Sequence, residues 1–253
     1  MAQEKQCMIF AAGLGTRLKP LTDTMPKALV PVNGKPLLEY VLRKLKAAGF
    51  TKAVINVYHF AEQIIDFVNQ NDFGMEVSIS DEREMLLDTG GGVKKAQTLL
   101  NTDQPFLIHN VDILSDLDLN QFYAAHTPDR LATILVSNRK SNRYFLFDDS
   151  NRLVGWRNVQ TGELKTPYAH LDVAKCKHLA FAGIHTISPD IFNLMTEWEG
   201  KFSIIDFYIS MADRHLIYGY EPSDIQIIDV GKLDALHEAE KFVKNKKENY
   251  ILR

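Results

Sequence analysis

The stretch AAGLGTRLKPLTDTMPKAL runs from Ala11 to Leu29, directly after the apolar residues Cys7, Met8, Ile9 and Phe10. Those four read as a short buried strand, so the glycines that follow mark its exit into a loop. A loop that only reverses the chain needs no cations, yet this one holds Arg17 and Lys27. Ala12, Gly13, Gly15 and Thr16 are small enough for backbone N–H groups to approach an anion closely. Arg17 adds a forked guanidinium that can meet two phosphate oxygens, and Lys27 adds a point charge. Pro20 and Pro26 stiffen the segment between them, which lowers the cost of ordering two cations around one anion. These features together suit a triphosphate.

Two familiar phosphate fingerprints fail here. Gly13-Leu14-Gly15-Thr16-Arg17-Leu18 nearly spells a dinucleotide motif, but Leu18 stands where its third glycine belongs. The next strand candidate, KAVINVY (52–58), also ends without the acid that would grip a ribose. No Gly-Lys-Ser/Thr closes the loop, so it is not a Walker motif either.

Outward from this loop, strands and helices alternate. QCMIFAA (6–12), KAVINVY, MEVSIS (75–80) and PFLIHN (105–110) read as strands. PLLEYVLRKLKAAGF (36–50), AEQIIDFVNQ (61–70) and GGVKKAQTLL (91–100) read as helices, with Pro36 and Gly49 punctuating the first. That alternation predicts βαβ units, an α/β fold and an open, mainly parallel Rossmann-like sheet. After about residue 130 come closely spaced strands, LATILVSN, YFLFDD and RLVGWRNV, then CKHLAFAGIHTI. A helix opening at SPDIF, a late strand IQIIDVG (225–231) and an amphipathic helix KLDALHEAEKFVKNKK (232–247) complete the reading.

Composition sets limits. The chain has 253 residues, 45% hydrophobic and 24% charged, and a formal net charge of -3, which argues against a nucleic-acid partner. Cys7 and Cys176 have no metal or disulfide spacing, and Cys7 reads as a buried thiol. The start MAQEKQ lacks a signal-peptide core and no apolar run could span a bilayer, so a cytoplasmic protein with no membrane partner is expected.

Asp112 follows the strand PFLIHN and Asp229 ends the late strand, where open α/β sheets bind ligands. Two such acids on one edge suit Mg²⁺, which takes one or two carboxylates plus phosphate oxygens. LLDTGGGVKKA (86–96) holds Gly90, Gly91 and Gly92, either a strand-to-helix turn or a surface against which a flat base can lie. His185 reads as structural, and Trp156 and Tyr168 as core or surface aromatics.

The long stretch AAGLGTRLKPLTDTMPKALVPVNGKPLLEY (11–40) resembles the signature of the sugar-nucleotide pyrophosphorylase family. These nucleotidyltransferases join a sugar 1-phosphate to a nucleoside triphosphate and release pyrophosphate. The resemblance implies the nucleotide-diphospho-sugar transferase type of fold, with Arg17 and Lys27 catalytic. It makes Asp112 and Asp229 the Mg²⁺ ligands and Gly90–Gly92 the base-recognition loop, in a form most like muramate-type uridylyltransferases. Gly183 would expose backbone to the sugar, and Glu163 and Lys165 are candidates for the family's Glu-Lys pair, though their spacing differs from the usual one. Val111 stands where the family commonly has glycine. One domain over 1–253 is expected: about 1–130 as nucleotide half, about 131–225 as a β-rich sugar-binding elaboration, and 226–253 as closing strand and helix, with no further repeat domain. The implied substrates are UTP and an N-acetylmuramate-type sugar 1-phosphate, taken by a monomer or homodimer. Guanylyl transfer to mannose or heptose 1-phosphate, cytidylyl transfer to phosphocholine, and a silent nucleotide sensor are the alternatives.

Overall fold

The computed structural model describes residues 4–246. The chain begins with β1 (Lys5–Phe10), the small hairpin β2 (Pro31–Val32) and β3 (Lys35–Pro36), then α1 (Leu37–Ala47). β4 (Phe50–Val57), α2 (Ala61–Gln70), β5 (Glu76–Asp81), α3 (Asp88–Lys95) and β6 (Phe106–Asn110) continue the alternation. β7 (Ile113–Ser115) and α4 (Leu119–Ala124) lead into β8 (Arg130–Ser137), β9 (Arg143–Phe147), β10 (Leu153–Asn158) and β11 (Leu164–Lys165). β12 (Lys177–Ile187), α5 (Ile191–Leu194), α6 (Ile204–Met211), β13 (Leu216–Tyr220), β14 (Ile227–Asp229) and α7 (Leu233–Asn245) complete the order. The terminal helix expected through Lys247 reaches Asn245, and residues beyond 246 lie outside the described part.

The large sheet runs β11-β10-β9-β12-β6-β1-β4-β5, with β8 and β13 joined to it through β12. Its N-terminal part is parallel: β1 pairs β4 and β6, and β4 pairs β5. From β12 outward the main path is antiparallel, because β12 runs against β6 and β9. The sheet is therefore mixed, its parallel character confined to the βαβ half and to β13 beside β8. Parallel strands lie buried on both faces, as the apolar run in β1 anticipates. Met8, Val54 and Ile108 face one core with α6, while Cys7, Ile9, Ile55 and Leu107 face the other with α1. The register aligns Phe10 with both Asn56 and Asn110, so the loops after β1, β4 and β6 leave at one level.

β14 does not join the large sheet. It pairs antiparallel with β7, placing Asp229 opposite Ile113. A third, smaller core of Leu18, Val30, Leu114, Ile228, Val230 and Phe242 gathers the opening loop, this hairpin and α7.

The triple glycine lies inside α3 rather than in a turn before it. Gly90 and Gly91 donate to the Phe202 carbonyl at 2.9 and 3.3 Å, and the Thr89 hydroxyl accepts from Ile204 N–H at 3.0 Å. A Cβ on Gly90 would sit 2.4 Å from the Phe202 ring, and one on Gly91 2.3 Å from the Gly200 carbonyl oxygen. The glycines thus admit the 200–204 segment against the helix.

Two measurements test this packing and the buried histidines. Gly91→Ala should cost about 1–3 kcal/mol, since its obstacle is backbone. Thermal unfolding should show a drop of roughly 2–10 °C. Burial also holds His109 and His126 at pKa values of about 4 and His185 at about 3. Each is neutral in the fold but takes a proton when unfolded below the ordinary value near 6.5. Stability should therefore fall as pH drops from that value, by about 1.4 kcal/mol per unit for each group. His185→Asn should show a shallower decline of melting temperature between pH 7 and 5 than the parent chain.

Candidate active site

The opening loop is shaped by its own residues. Gly15 adopts φ +63°, and a Cβ there would lie 2.9 Å from Thr22 Cγ2 and 3.0 Å from Lys27 Cβ. The Thr22 hydroxyl donates to the Gly15 carbonyl at 2.9 Å, folding the segment back so that the Lys27 stem lies over Gly15. Asn56, at the end of β4, accepts from Ala11 N–H at 2.7 Å and Ala12 N–H at 3.3 Å. Among the described residues, no protein acceptor meets the N–H groups of Gly13, Leu14, Gly15 or Thr16. These residues line a cavity of about 480 Å³, so the loop offers it a row of backbone donors.

Arg17, Lys27 and Asp112 line the same cavity. Lys27 and Asp112 form an ion pair, with side chains only 11% and 17% exposed. Asp229 arrives through β14: Val230 N–H donates to the Asp112 carbonyl at 2.8 Å. A Cβ placed on Gly231 would lie 2.7 Å from Asp229 Oδ1 and 2.8 Å from Arg17 Nη2, so acid and guanidinium flank that glycine. Asp112 and Asp229 are thus neighbours through adjacent backbones although far apart in sequence. Hard oxygen donors of this kind fit Mg²⁺, whose shell is completed by phosphate and water oxygens. Among the described residues no three His, Cys, Asp or Glu side chains gather as a larger cage.

The base side differs from expectation. Gly90, Gly91 and Gly92 do not line the cavity; Leu86, Asp88, Thr89 and the fully buried Glu82 do. Glu82 accepts from Asn56 Nδ2 at 2.9 Å and Leu87 N–H at 3.2 Å. Burial raises its pKa despite these donors. A Cβ on Gly92 would come 2.8 Å from Glu82 Oε1, so Gly92 makes room for the carboxylate rather than for a base.

A second cavity, roughly 780 Å³, adjoins the first at Arg17 and reaches Asp229, Phe145, Trp156 and a group of cations. Trp156 belongs to the main core, as expected of a core aromatic, and its edge also lines this cavity. Tyr168 instead donates to the Ala212 carbonyl at 3.0 Å. Gly183 sits at φ +76°, where a Cβ would meet Ile113 at 2.7 Å and the Asn110 amide at 3.0 Å, so it clears space for Asn110 at the cavity wall. Glu163 and Lys165 stand outside both cavities. Lys165 pairs with Asp206 at 2.7 Å and Glu163 at 3.4 Å, and its ammonium lies 5.2 Å from the Trp156 ring centre. His185 has a partner that sequence reading did not find, the Tyr208 hydroxyl at 2.6 Å.

A Nucleotidyl transferase family model matches residues 6–151, more than half of the chain and all of this loop. The chain belongs to the nucleotidyl transferase family. It is 30% identical over 228 residues to N-acetylmuramate alpha-1-phosphate uridylyltransferase of Caulobacter vibrioides, covering 87% of this chain and 90% of that one. The enzyme of the same description from Neisseria meningitidis serogroup B is 41% identical over 133 residues, 51% of this chain and 57% of its relative. HddC from Yersinia pseudotuberculosis, solved in complex with GMP-PN, superposes with a TM-score of 0.76 over 94% of this chain and 99% of its own, at 21% identity. This nucleotidyl transferase therefore has the nucleotide-diphospho-sugar transferase fold and is an enzyme that forms nucleotide sugars. Among the described residues no helix is long and apolar enough to cross a membrane.

Sequence reading did not single out Asn56, Glu82 or, among the second cavity's cations, Arg139, Lys140, Arg143 and Lys232. Asn56 carried one usable signal, a polar residue inside the otherwise apolar KAVINVY. The loop cations can be told apart experimentally. Arg17→Lys should lower kcat by ~30- to 1,000-fold, since a bidentate contact to phosphate becomes a single one. Lys27→Ala should be comparably damaging. Lys19, whose side chain is 61% exposed and pairs with Asp23 at 3.0 Å, should be nearly silent as alanine. Equal losses in Arg17→Lys and Lys19→Ala, measured in both reaction directions, would mean a diffuse basic surface.

Proposed function

We propose that this enzyme joins N-acetylmuramate 1-phosphate to UTP, giving the UDP-sugar and pyrophosphate. The observation that carries this reading is the match to the Caulobacter uridylyltransferase, which extends over nearly all of both chains. A phosphate oxygen of the sugar 1-phosphate attacks the nucleotide α-phosphorus in line. The bond to the β-phosphate breaks, and its electron pair leaves with pyrophosphate. The reactants supply nucleophile and leaving group, so the protein contributes position and charge.

The open N–H groups of the 13–16 loop and the Arg17 fork hold the departing pyrophosphate. Lys27, anchored over Gly15, neutralises the α-phosphate or the incoming phosphate. Asp112 and Asp229 would hold Mg²⁺, which when bound supplies charge neutralisation across the phosphates. Asp112 is also the partner of Lys27, so the carboxylate that would hold the ion positions the ammonium that meets phosphate. Leu86, Asp88 and Thr89 border the base, and the second cavity takes the sugar.

Pyrophosphate release across UTP, GTP, CTP and dTTP against several sugar 1-phosphates tests the reading. UTP with N-acetylmuramate 1-phosphate should give the highest kcat/KM, and a chelator of divalent ions should abolish it. A clear preference for GTP with mannose or heptose 1-phosphate would replace this reading with guanylyl transfer.

A further inference from the structure

The second cavity is more cationic than one sugar phosphate requires. Arg17, Arg139, Lys140, Arg143 and Lys232 all line it, with Asp229 as their acidic counterpart. A neutral sugar 1-phosphate brings a single anionic group, which on that reading lies at Arg17, the residue that lines both cavities, with Asp229 close by. Lys232 and Arg139 border a shallow recess with these same two residues, so they belong to that end as well. Lys140 and Arg143 do not border it. Among the described residues, neither forms an ion pair with a carboxylate, and both are exposed.

The sheet gives Arg143 a fixed place. β9 and β10 run antiparallel, with Arg143 opposite Asn158 and Phe145 opposite Trp156. Strand side chains alternate, so Arg143 and Phe145 share one face, as do Trp156 and Asn158. All four line the cavity. Its floor is therefore a two-by-two patch with an apolar half, Phe145 and Trp156, and a polar half, Arg143 and Asn158. The two halves are about 7 Å apart along the strands, the distance of two residues. A pyranose resting on the apolar half would carry a ring substituent over the polar half. N-acetylmuramate differs from N-acetylglucosamine by a lactyl ether that ends in a carboxylate, a group a guanidinium can bind through two hydrogen bonds.

We infer that Arg143, supported by Lys140 and Asn158, is the specificity device that selects a sugar 1-phosphate carrying a carboxylate substituent. This rests on the muramate reading above and assigns residues to it.

The test uses two substrates that differ only in the lactyl group, N-acetylmuramate 1-phosphate and N-acetylglucosamine 1-phosphate, each with saturating UTP. The parent enzyme should favour the muramate. Arg143→Ala should lower the ratio of the two kcat/KM values by about 10- to 100-fold, chiefly through KM for the muramate. Arg143→Lys should recover part of that ratio, because charge is kept and the fork is lost. Lys140→Ala should lower the ratio less. A parent enzyme that favours the muramate while Arg143→Ala reduces both sugars equally would overturn the inference and leave the muramate reading standing. A parent enzyme indifferent to the lactyl group would overturn both. A merely structural Arg143 would lower kcat/KM for both sugars and leave their ratio unchanged.

Discussion

The site depends on a core that is not the largest one. Leu18, Leu114, Val230 and Phe242 pack together away from the main sheet, and each of the first three lies close in sequence to a charged residue of the site. Burying Leu18 fixes where Arg17 emerges, and burying Val230 does the same for Asp229. Apolar burial is worth roughly 25 cal/mol per Å², so a few such side chains can hold an exposed cation and an acid within reach of each other. Without α7 to cover it, this core would be open to water, and the two charges would have no common frame.

The main sheet contributes the other half of the arrangement. Its parallel strands end at one level, so the glycine loop, Asn56 and Asp112 are delivered to a single edge by register alone. Asn56 then ties the loop to Glu82 on the opposite wall of the first cavity. This network is buried, so its lost hydration is offset only while every member keeps its partner. The raised pKa of Glu82 reflects the same constraint: the carboxylate gains donors but loses water.

Much of this was legible in the sequence. The βαβ half could be read from periodicity because β1, β4 and β6 are mostly apolar runs and α1 and α2 each carry an apolar stripe. The opening loop could be singled out because glycines and cations at that spacing are more than a chain reversal needs, and it does line the first cavity. What could not be read were contacts between distant segments. Gly90–Gly92 look like a ligand surface in one dimension, yet their missing side chains are filled by residues 200–202 and by Glu82. The antiparallel turn in the sheet follows from β12 entering beside β6, a pairing that no local pattern encodes. Arg143 and Asn158 come side by side only once β9 and β10 are in register. The hairpin of β14 on β7 was equally hidden, and with it the contact that brings Asp229 to Asp112.

The seam between α3 and α6 has a mechanical meaning. Thr89 faces the first cavity, and its hydroxyl accepts from the amide of Ile204, whose neighbour Ile205 faces the second. The two chambers thus share a partition one hydrogen bond thick. The glycines of α3 leave no slack on the other side of it, since helix and segment are already at the closest approach that backbone allows. Thr89 on one wall and Ile205 on the other are thus separated only by that bonded amide. The packing that looks like economy of space therefore joins the walls of the two compartments into one piece.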